Sequence, residues 1–175
     1  MRYLKVAAQD RSGNGKADTV LLQFHDDSTN LVFEAFAIDL TADGSIEFSY
    51  AGDINGDGKS NLQDEVQLTV FAQAFLQLNW FNIGRSVERY LKIEAKNYHA
   101  DGSPNVVNFQ FTEDDGIPPA LIRITPAAAY DGDNDGTLDS FTNSDVNGDG
   151  VANTADKLLM RKLAESYLAF CWFED

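Results

Sequence analysis

The amino-acid sequence predicts an α+β fold made of two duplicated units that are related by a pseudo-twofold axis. Each unit is expected to contain about four antiparallel strands, followed by an Asp-rich loop and one helix. Three observations predict this arrangement. The second half of the chain repeats the first, short segments rich in β-branched and aromatic residues alternate with turn residues, and two longer segments have apolar residues at helical spacing.

The repeat is visible at two offsets. Residues 2–6 (Arg-Tyr-Leu-Lys-Val) return at 89–93 as Arg-Tyr-Leu-Lys-Ile, an offset of 87, and residues 53–64 return at 145–156, an offset of 92. A five-residue insertion near the prolines at 118–119 accounts for the difference between the offsets. The sequence therefore predicts one compact domain with repeat units at 2–81 and 89–173 and a linker at 82–88.

The first unit is predicted to form strands and then a helix. Val66, Val70, Ala74 and Leu78 recur four residues apart, with Phe71 and Phe75 beside them, which indicates an apolar stripe on a helix. Asn61 is a suitable N-cap for it. The strands are expected at 3–8, 19–24, 31–39 and 46–50, and the helix at 62–80.

The second unit is predicted to repeat these elements. Its helix has Leu159, Leu163, Tyr167 and Phe170 on one face, with Thr154 as the expected N-cap. The strands are expected near 90–95, 106–111, 121–125 and 138–141, and the helix at 154–173.

The acidic charge of the chain is concentrated in a few loops. With 13 Lys and Arg against 28 Asp and Glu, the formal net charge is −15, and 12 of the acidic residues lie at patterned positions of four loops. Such a chain repels phosphate groups, so nucleic-acid binding is not expected. No run of about 18 apolar residues is present, so no membrane association is expected either. The charge favours cations as ligands.

Two of these loops, 53–64 and 145–156, lead directly into the predicted helices and have the spacing of a calcium loop. Calcium takes six to eight oxygen ligands at about 2.3–2.6 Å, from side chains at loop positions 1, 3, 5 and 12 and from a backbone carbonyl at position 7. Glycine at position 6 permits the sharp reversal of the chain. The predicted metal ligands are Asp53, Asn55, Asp57, Lys59 and Asp64 in the first loop, and Asp145, Asn147, Asp149, Val151 and Asp156 in the second.

These two loop-helix segments resemble dockerin modules, the calcium-binding docking domains of cellulosomal enzymes. The shared pattern is Asp-x-Asn-x-Asp-Gly-x-x-Asn-x-x-Asp, followed by an apolar helix that carries Leu68 or Met160. It covers roughly 25 residues in each unit, and it has Asp rather than the Glu of a full EF-hand at position 12. The resemblance implies structural calcium ions and a protein partner that binds the two helices.

The loops 10–18 and 131–139 are expected to connect strands, and they look like the strand-loop-strand calcium loops of integrin-type propeller blades. The resemblance implies ligands at positions 1, 3, 5, 7 and 9. Loops 39–47 and 97–105 have the same spacing with fewer acidic residues, and for them a plain turn is the favoured interpretation. The implied ligands are Asp10, Ser12, Asn14, Lys16 and Asp18, and Asp131, Asp133, Asp135, Thr137 and Asp139.

Other reactive or aromatic side chains are given structural roles. His25 and His99 have no Cys or His partner at metal spacing, so surface or turn positions are expected. Cys171 is expected to be a buried thiol. The pairs 80–81 and 172–173, both Trp-Phe, are expected to pack against the strands, with a sugar-binding platform as the alternative.

The sequence thus predicts a non-enzymatic calcium-binding module, with at least two and up to four structural Ca²⁺ ions. No phosphate loop, nucleophile elbow or zinc signature is present. Asp at position 12 and the number of loops suit the millimolar affinities of extracellular modules, so an extracellular or cell-surface location is expected. Calcium-dependent protein–protein binding and carbohydrate binding are the alternatives.

Overall fold

A computed structural model describes residues 1–82, 88–99, 104–114 and 122–174. Within these residues, eight strands and two α-helices are present, with a 3₁₀ turn at Trp80–Asn82. The helices are α1 (Leu62–Leu76) and α2 (Thr154–Ala169). The strands are β1 (Tyr3–Gln9), β2 (Thr19–His25), β3 (Leu31–Ile38), β4 (Phe48–Tyr50), β5 (Glu88–Lys96), β6 (Val106–Asp114), β7 (Ile122–Tyr130) and β8 (Ser140–Phe141).

The strands form one antiparallel sheet in the order β4-β3-β2-β1-β5-β6-β7-β8. The predicted α+β class with antiparallel strands is therefore confirmed. The centre of the sheet is the pair β1 and β5, in which Leu4 lies opposite Ile93 and Val6 opposite Leu91. Since this pair is antiparallel, the loops after β1 and after β5 lie at opposite ends of the sheet.

Both helices pack on one face of the sheet and against each other. Alternate residues of the central strands point to this face, as the pleat of a strand requires. They form one continuous hydrophobic core with the inner faces of the helices. The largest fully buried members include Leu4, Leu22, Phe24, Leu91 and Phe109 from the strands, Leu68, Phe71 and Phe75 from α1, and Tyr167 from α2.

The helices end earlier than the sequence predicts. The C-caps are Gln77 and Phe170, and shortly after them Asn79 and Cys171 have φ angles of 49° and 53°. A left-handed residue at this place stops a helix. Glycine is the usual stop signal, and neither helix has one, so the predicted ends at 80 and 173 were wrong.

Two further expectations for the helices are corrected. Val66 and Val70, predicted to face the core, are 53% and 49% exposed. Leu68 is buried, and so, as expected, are the other members of the predicted stripe: Phe71, Ala74, Phe75 and Leu78. The N-cap of α2 is Asn153, not Thr154, whereas Asn61 caps α1 as expected. The predicted inner face of α2 is confirmed.

The strand positions agree with the expectations except at their ends. β7 continues to Tyr130 rather than stopping at 125, while β8 is shortened to Ser140–Phe141 and β4 to Phe48–Tyr50. Most of the predicted linker, 83–87, and the predicted insertion at 118–119 lie outside the described residues. None of the described helices has the length and apolar character needed to cross a membrane.

Candidate metal centres

Five loops of the molecule share one local geometry. Loops 10–18, 39–47 and 131–139 connect neighbouring strands, and loops 53–64 and 145–156 lead into α1 and α2. In each loop the Gly at position 6 has a φ angle between 84° and 94°, and its N–H donates to the Asp carboxylate at position 1 over 2.6–2.9 Å. Each position-7 N–H also donates over 2.8 Å to the side-chain oxygen at position 5.

In loop 53–64, the first carboxylate is only partly satisfied. Asp53 Oδ2 accepts the N–H of Gly58 over 2.9 Å, but Oδ1 is buried and has no hydrogen-bond partner among the described residues. A buried polar atom normally has a partner, and an anionic oxygen most of all. Asn55 and Asp57 flank it at positions 3 and 5, and Lys59 lies at position 7 with an exposed side chain. Asp53 Oδ1 is therefore available to a cation.

The position-12 carboxylates tie each loop to its helix. Asp64 is fully buried and accepts the N–H groups of Asn55 (3.3 Å) and Asn61 (2.9 Å). Asn61 is the N-cap and Asp64 the third helical residue, so the two form a capping box. The short Asp side chain suits this position, because the helix begins directly beside the loop.

Loop 145–156 repeats this arrangement. Asp156 is fully buried and accepts the N–H groups of Val146 (2.9 Å), Asn147 (3.0 Å) and Asn153 (2.8 Å). Burial raises the pKa of this carboxyl, but these N–H groups outweigh it and the pKa is lowered. Asp145 accepts from Gly148 and Gly150, both over 2.8 Å. Asp149 and Val151 lie exposed at positions 5 and 7.

Loop 131–139 brings three carboxylates together. Oxygens of Asp131, Asp133 and Asp135 lie within 4.8 Å of one another, and Asp131 is buried while the other two are exposed. Such a group can present several oxygen ligands to a hard dication. Asp139, the predicted fourth carboxylate, is not part of the group, and it accepts the hydroxyl of Ser140 over 3.1 Å. Thr137 is exposed at position 7.

Loop 39–47 forms a second group that sequence analysis missed. Oxygens of Asp39, Asp43 and Glu47 lie within 4.8 Å of one another. Asp39 is buried and accepts the N–H of Gly44 over 2.6 Å, and Glu47 accepts the N–H of Leu40 over 2.7 Å. The signal was present in the spacing, with Asp at positions 1 and 5, Gly at 6 and Glu at 9. Sequence analysis favoured a plain turn here because the loop has fewer acidic residues than loop 131–139.

Loop 10–18 is held together mainly by its own backbone. Asp10 accepts the N–H groups of Gly13, Asn14 and Gly15 and the hydroxyl of Ser12, and the N–H of Gly15 does most to lower its pKa. Lys16 is exposed. The structure groups neither Asp10 nor Asp18 with a third carboxylate.

Asp18 is buried at the end of this loop and accepts the N–H groups of Arg11 (3.1 Å) and Ser12 (2.8 Å). Burial raises the pKa of Asp18, but the hydrogen bonds that it accepts lower this pKa by more, so the net shift is downward. In loop 97–105, Asn105 takes this place and accepts the N–H of Tyr98 over 2.9 Å. Residues 100–103 of that loop lie outside the described residues.

No protein cation neutralises the loop carboxylates in the described part of the chain. The ion pairs there involve Glu88, Glu94, Glu113 and Glu174, and none involves an Asp of the five loops. Among the described residues, the loops therefore hold their negative charges with neutral N–H and O–H donors alone. Like charges at this spacing repel, and a bound cation would relieve the repulsion.

The remaining sequence expectations have mixed outcomes. Cys171 is exposed, so the expectation of a buried thiol was wrong; the residue lies beyond α2, not within it. Trp80 and Trp172 pack against the core, as expected. His25 is partly buried and stacks on Tyr3 at 4.7 Å, while His99 is exposed.

Comparison with protein families, curated proteins and solved structures gave no match. The functional interpretation therefore rests on the geometry of the loops.

Proposed function

We propose that the protein is a non-enzymatic calcium-binding module whose ions are structural. The observation that carries the proposal is the buried Oδ1 atom of Asp53, an anionic oxygen without a hydrogen-bond partner among the described residues, in a loop with calcium spacing. A calcium ion would supply the missing partner, and the other oxygens of the loop would coordinate the same ion. Loop 145–156 repeats the spacing, and the carboxylate group of loop 131–139 supports a third site.

The ions would stabilise the fold through the helices. Loops 53–64 and 145–156 end in the capping boxes of α1 and α2, so closing the loop and starting the helix are one event. An ion that binds only the folded chain adds RT ln(1 + [Ca]/Kd) to the free energy of unfolding, or about 2.7 kcal/mol at a hundredfold excess over Kd. Millimolar sites would be filled in an extracellular or cell-surface setting, which is the location we propose.

We also propose that the chain is an internal duplication with a pseudo-twofold axis between β1 and β5. Reciprocal contacts across this pair support it. Lys5 lies over the ring of Tyr90 (4.4 Å), and Lys92 lies over the ring of Tyr3 (4.7 Å). Likewise, Arg2 lies over Trp172 at 4.9 Å and Arg89 over Trp80 at 5.0 Å. Each contact joins residues of opposite halves, which favours a single domain over two independent ones.

Asp53→Asn tests the calcium proposal, because the substitution keeps the shape of the side chain and removes its charge. We expect the affinity of one calcium site to fall by about tenfold or more, a loss of about 1.4 kcal/mol. Asp27→Asn is the matched control, since Asp27 is exposed and lies outside the loops. Equal calcium titrations for the two variants and the unmodified protein would remove loop 53–64 from the proposal.

A second candidate function is calcium-dependent binding of a protein partner. The supporting observation is an apolar stripe on the outer face of α1, formed by Leu62, Val66 and Val70 at intervals of four residues, all exposed. Leu158 is exposed at the corresponding position of α2. Contiguous exposed apolar patches mark partner sites, and these three residues lie along one side of the helix. A Val66→Lys variant that captures the same partners as the unmodified protein, with calcium present, would count against this function.

A carbohydrate platform formed by Trp80 and Trp172 is not proposed, because both rings pack against the core.

A further inference from the structure

Three aromatic rings pack together beside strands β2 and β3 of the first half of the chain. Phe24 on β2 lies directly opposite Phe33 on β3, and their rings stack at 4.1 Å with an interplanar angle of 8°. Trp172 makes an edge contact with each of them, at 5.6 Å. Phe24 belongs to the buried core, and Phe33 and Trp172 are partly buried against it.

The second half keeps two of these rings and lacks the third. Phe111 on β6 occupies the register position that Phe24 has on β2, and Trp80 makes the same edge contact with it, at 5.4 Å and 89°. The residue opposite Phe111 is Thr125, where the first half has Phe33. Replacing a phenyl ring by a small side chain leaves space that the neighbours do not fill.

A cavity of about 140 Å³ lies at this place, open to solvent on one side. Apolar surface makes up most of its wall. Ser144 and Asp145 are polar residues of its lining, and the hydroxyl of Ser144 donates to Thr142 Oγ1 over 3.0 Å, which leaves its lone pairs free to accept. The walls are formed by Trp80, Phe111, Thr125, Ala127 and Val146, among others.

We propose that this cavity is a binding site for a single aromatic ring, which takes the position that Phe33 fills in the first half. The size fits, because a cavity of roughly 150 Å³ lined by apolar side chains binds benzene. The ring edge-on to Trp80 and stacked on Phe111 would complete the three-ring cluster. The hydroxyl oxygen of Ser144 can accept a hydrogen bond, which favours a ring that carries a hydroxyl donor, so the ligand class is phenolic.

The phenolic ring can come from a free small molecule or from a tyrosine side chain of a peptide. Phenol and a short unstructured peptide with one central Tyr are therefore both titrated into the full chain, with calcium present so that loop 145–156 has one state. Binding is followed by the amide chemical shifts of Ala127 and Val146, which line the cavity and are unchanged in every variant. For a ligand of this size we expect a Kd on the order of 1 mM.

Thr125→Phe is the decisive variant, because it gives the second half the third ring of the first. We expect it to abolish saturable binding of both probes. Thr125→Leu fills the cavity without an aromatic ring and serves if the Phe variant does not fold. The reciprocal change, Phe33→Thr, is expected to open a second cavity and to raise the stoichiometry from one to two.

Saturable binding of phenol or of the peptide that the cavity-filling variants remove supports the site, and the probe that binds identifies the source of the ring. Absence of binding for both probes overturns the proposal. So does binding that persists unchanged in Thr125→Phe and Thr125→Leu. Because the readout is binding of an aromatic probe, it is separate from the titration of the calcium loops.

Discussion

Two strand-linked loops, one in each half of the chain, share a backbone geometry and differ in their side chains. Loop 39–47 after β3 and loop 131–139 after β7 have the same hydrogen bonds from positions 6 and 7. The first groups carboxylates from positions 1, 5 and 9, and the second from positions 1, 3 and 5. The shared turn geometry therefore brings side-chain oxygens close together, and the residue types at each position determine which oxygens these are.

The helix-linked loops show the opposite behaviour, because their side chains are the same at nearly every patterned position. Asp64 and Asp156 are both fully buried, and both close a capping box with the preceding Asn. This identity predicts that matching substitutions in the two halves have matching effects. If a matching pair of substitutions has unequal effects, the two loops are not equivalent at that position.

Among changes to the loops, the largest effect is expected for Asp64→Asn and Asp156→Asn. Each variant removes a fully buried carboxylate that accepts two or more backbone N–H groups, so we expect the free energy of unfolding to fall by about 2–3 kcal/mol in both. Urea denaturation measures it, with Asp27→Asn as the surface control, expected within about 0.5 kcal/mol of the unmodified protein. Unequal losses would break the equivalence of the two helix-linked loops.

A smaller effect is expected in the strand-linked loops. Asp43→Asn and Asp133→Asn each remove one carboxylate from a group of three, so the calcium affinity of the same loop should fall by about tenfold, or 1.4 kcal/mol. Calorimetric titration of each variant measures the change. If only Asp133→Asn has an effect, loop 39–47 is a turn without a metal site.

The pH dependence of stability is expected to change in opposite directions when Asp18 and Asn105, which take the same position in their loops, are exchanged for each other's residue type. The folded-state pKa of Asp18 is lowered from 3.8, so its contribution to stability is present above the unfolded pKa and is lost as the pH falls through the folded pKa. Asp18→Asn should therefore flatten the fall in stability below about pH 4. Asn105→Asp should steepen it. The midpoint of urea denaturation, followed from pH 6 to pH 3 in EDTA, measures this effect. If both variants lose stability with falling pH as steeply as the unmodified protein, the prediction is wrong.

The smallest effect is expected on the outer faces of the helices. Val66 and Leu158 are exposed at corresponding positions, so Val66→Lys and Leu158→Lys should change the free energy of unfolding by no more than about 0.5 kcal/mol. Phe71→Ala, on the buried face of α1, should cost about 3–5 kcal/mol. A large loss in Val66→Lys would mean that this side of α1 is covered.

Much of the fold could be predicted from local sequence, because strands and helices follow from residue spacing. The orientation of α1 could not, since apolar residues lie all round it and only the sheet decides that Leu68 and Phe71 are buried rather than Val66. The helix ends were missed because Asn79 and Cys171, not Gly, adopt the left-handed conformation.

The candidate sites were predictable to the extent that spacing alone specifies them. The patterned positions of loops 53–64 and 145–156 could be read directly from the sequence. The group in loop 39–47 could not, because it depends on the conformation that brings the Glu47 carboxylate close to those of Asp39 and Asp43. The cavity at Thr125 required the strand register, because only the pairing of β6 with β7 places Thr125 opposite Phe111.

Calcium titration of the metal-free protein by calorimetry, with melting curves of the same samples in calcium and in EDTA, tests the structural role of the ions most directly. If the ions are structural, we expect at least two equivalents of bound calcium and a melting temperature that rises with calcium concentration. No heat of binding, together with superimposable melting curves, would contradict it.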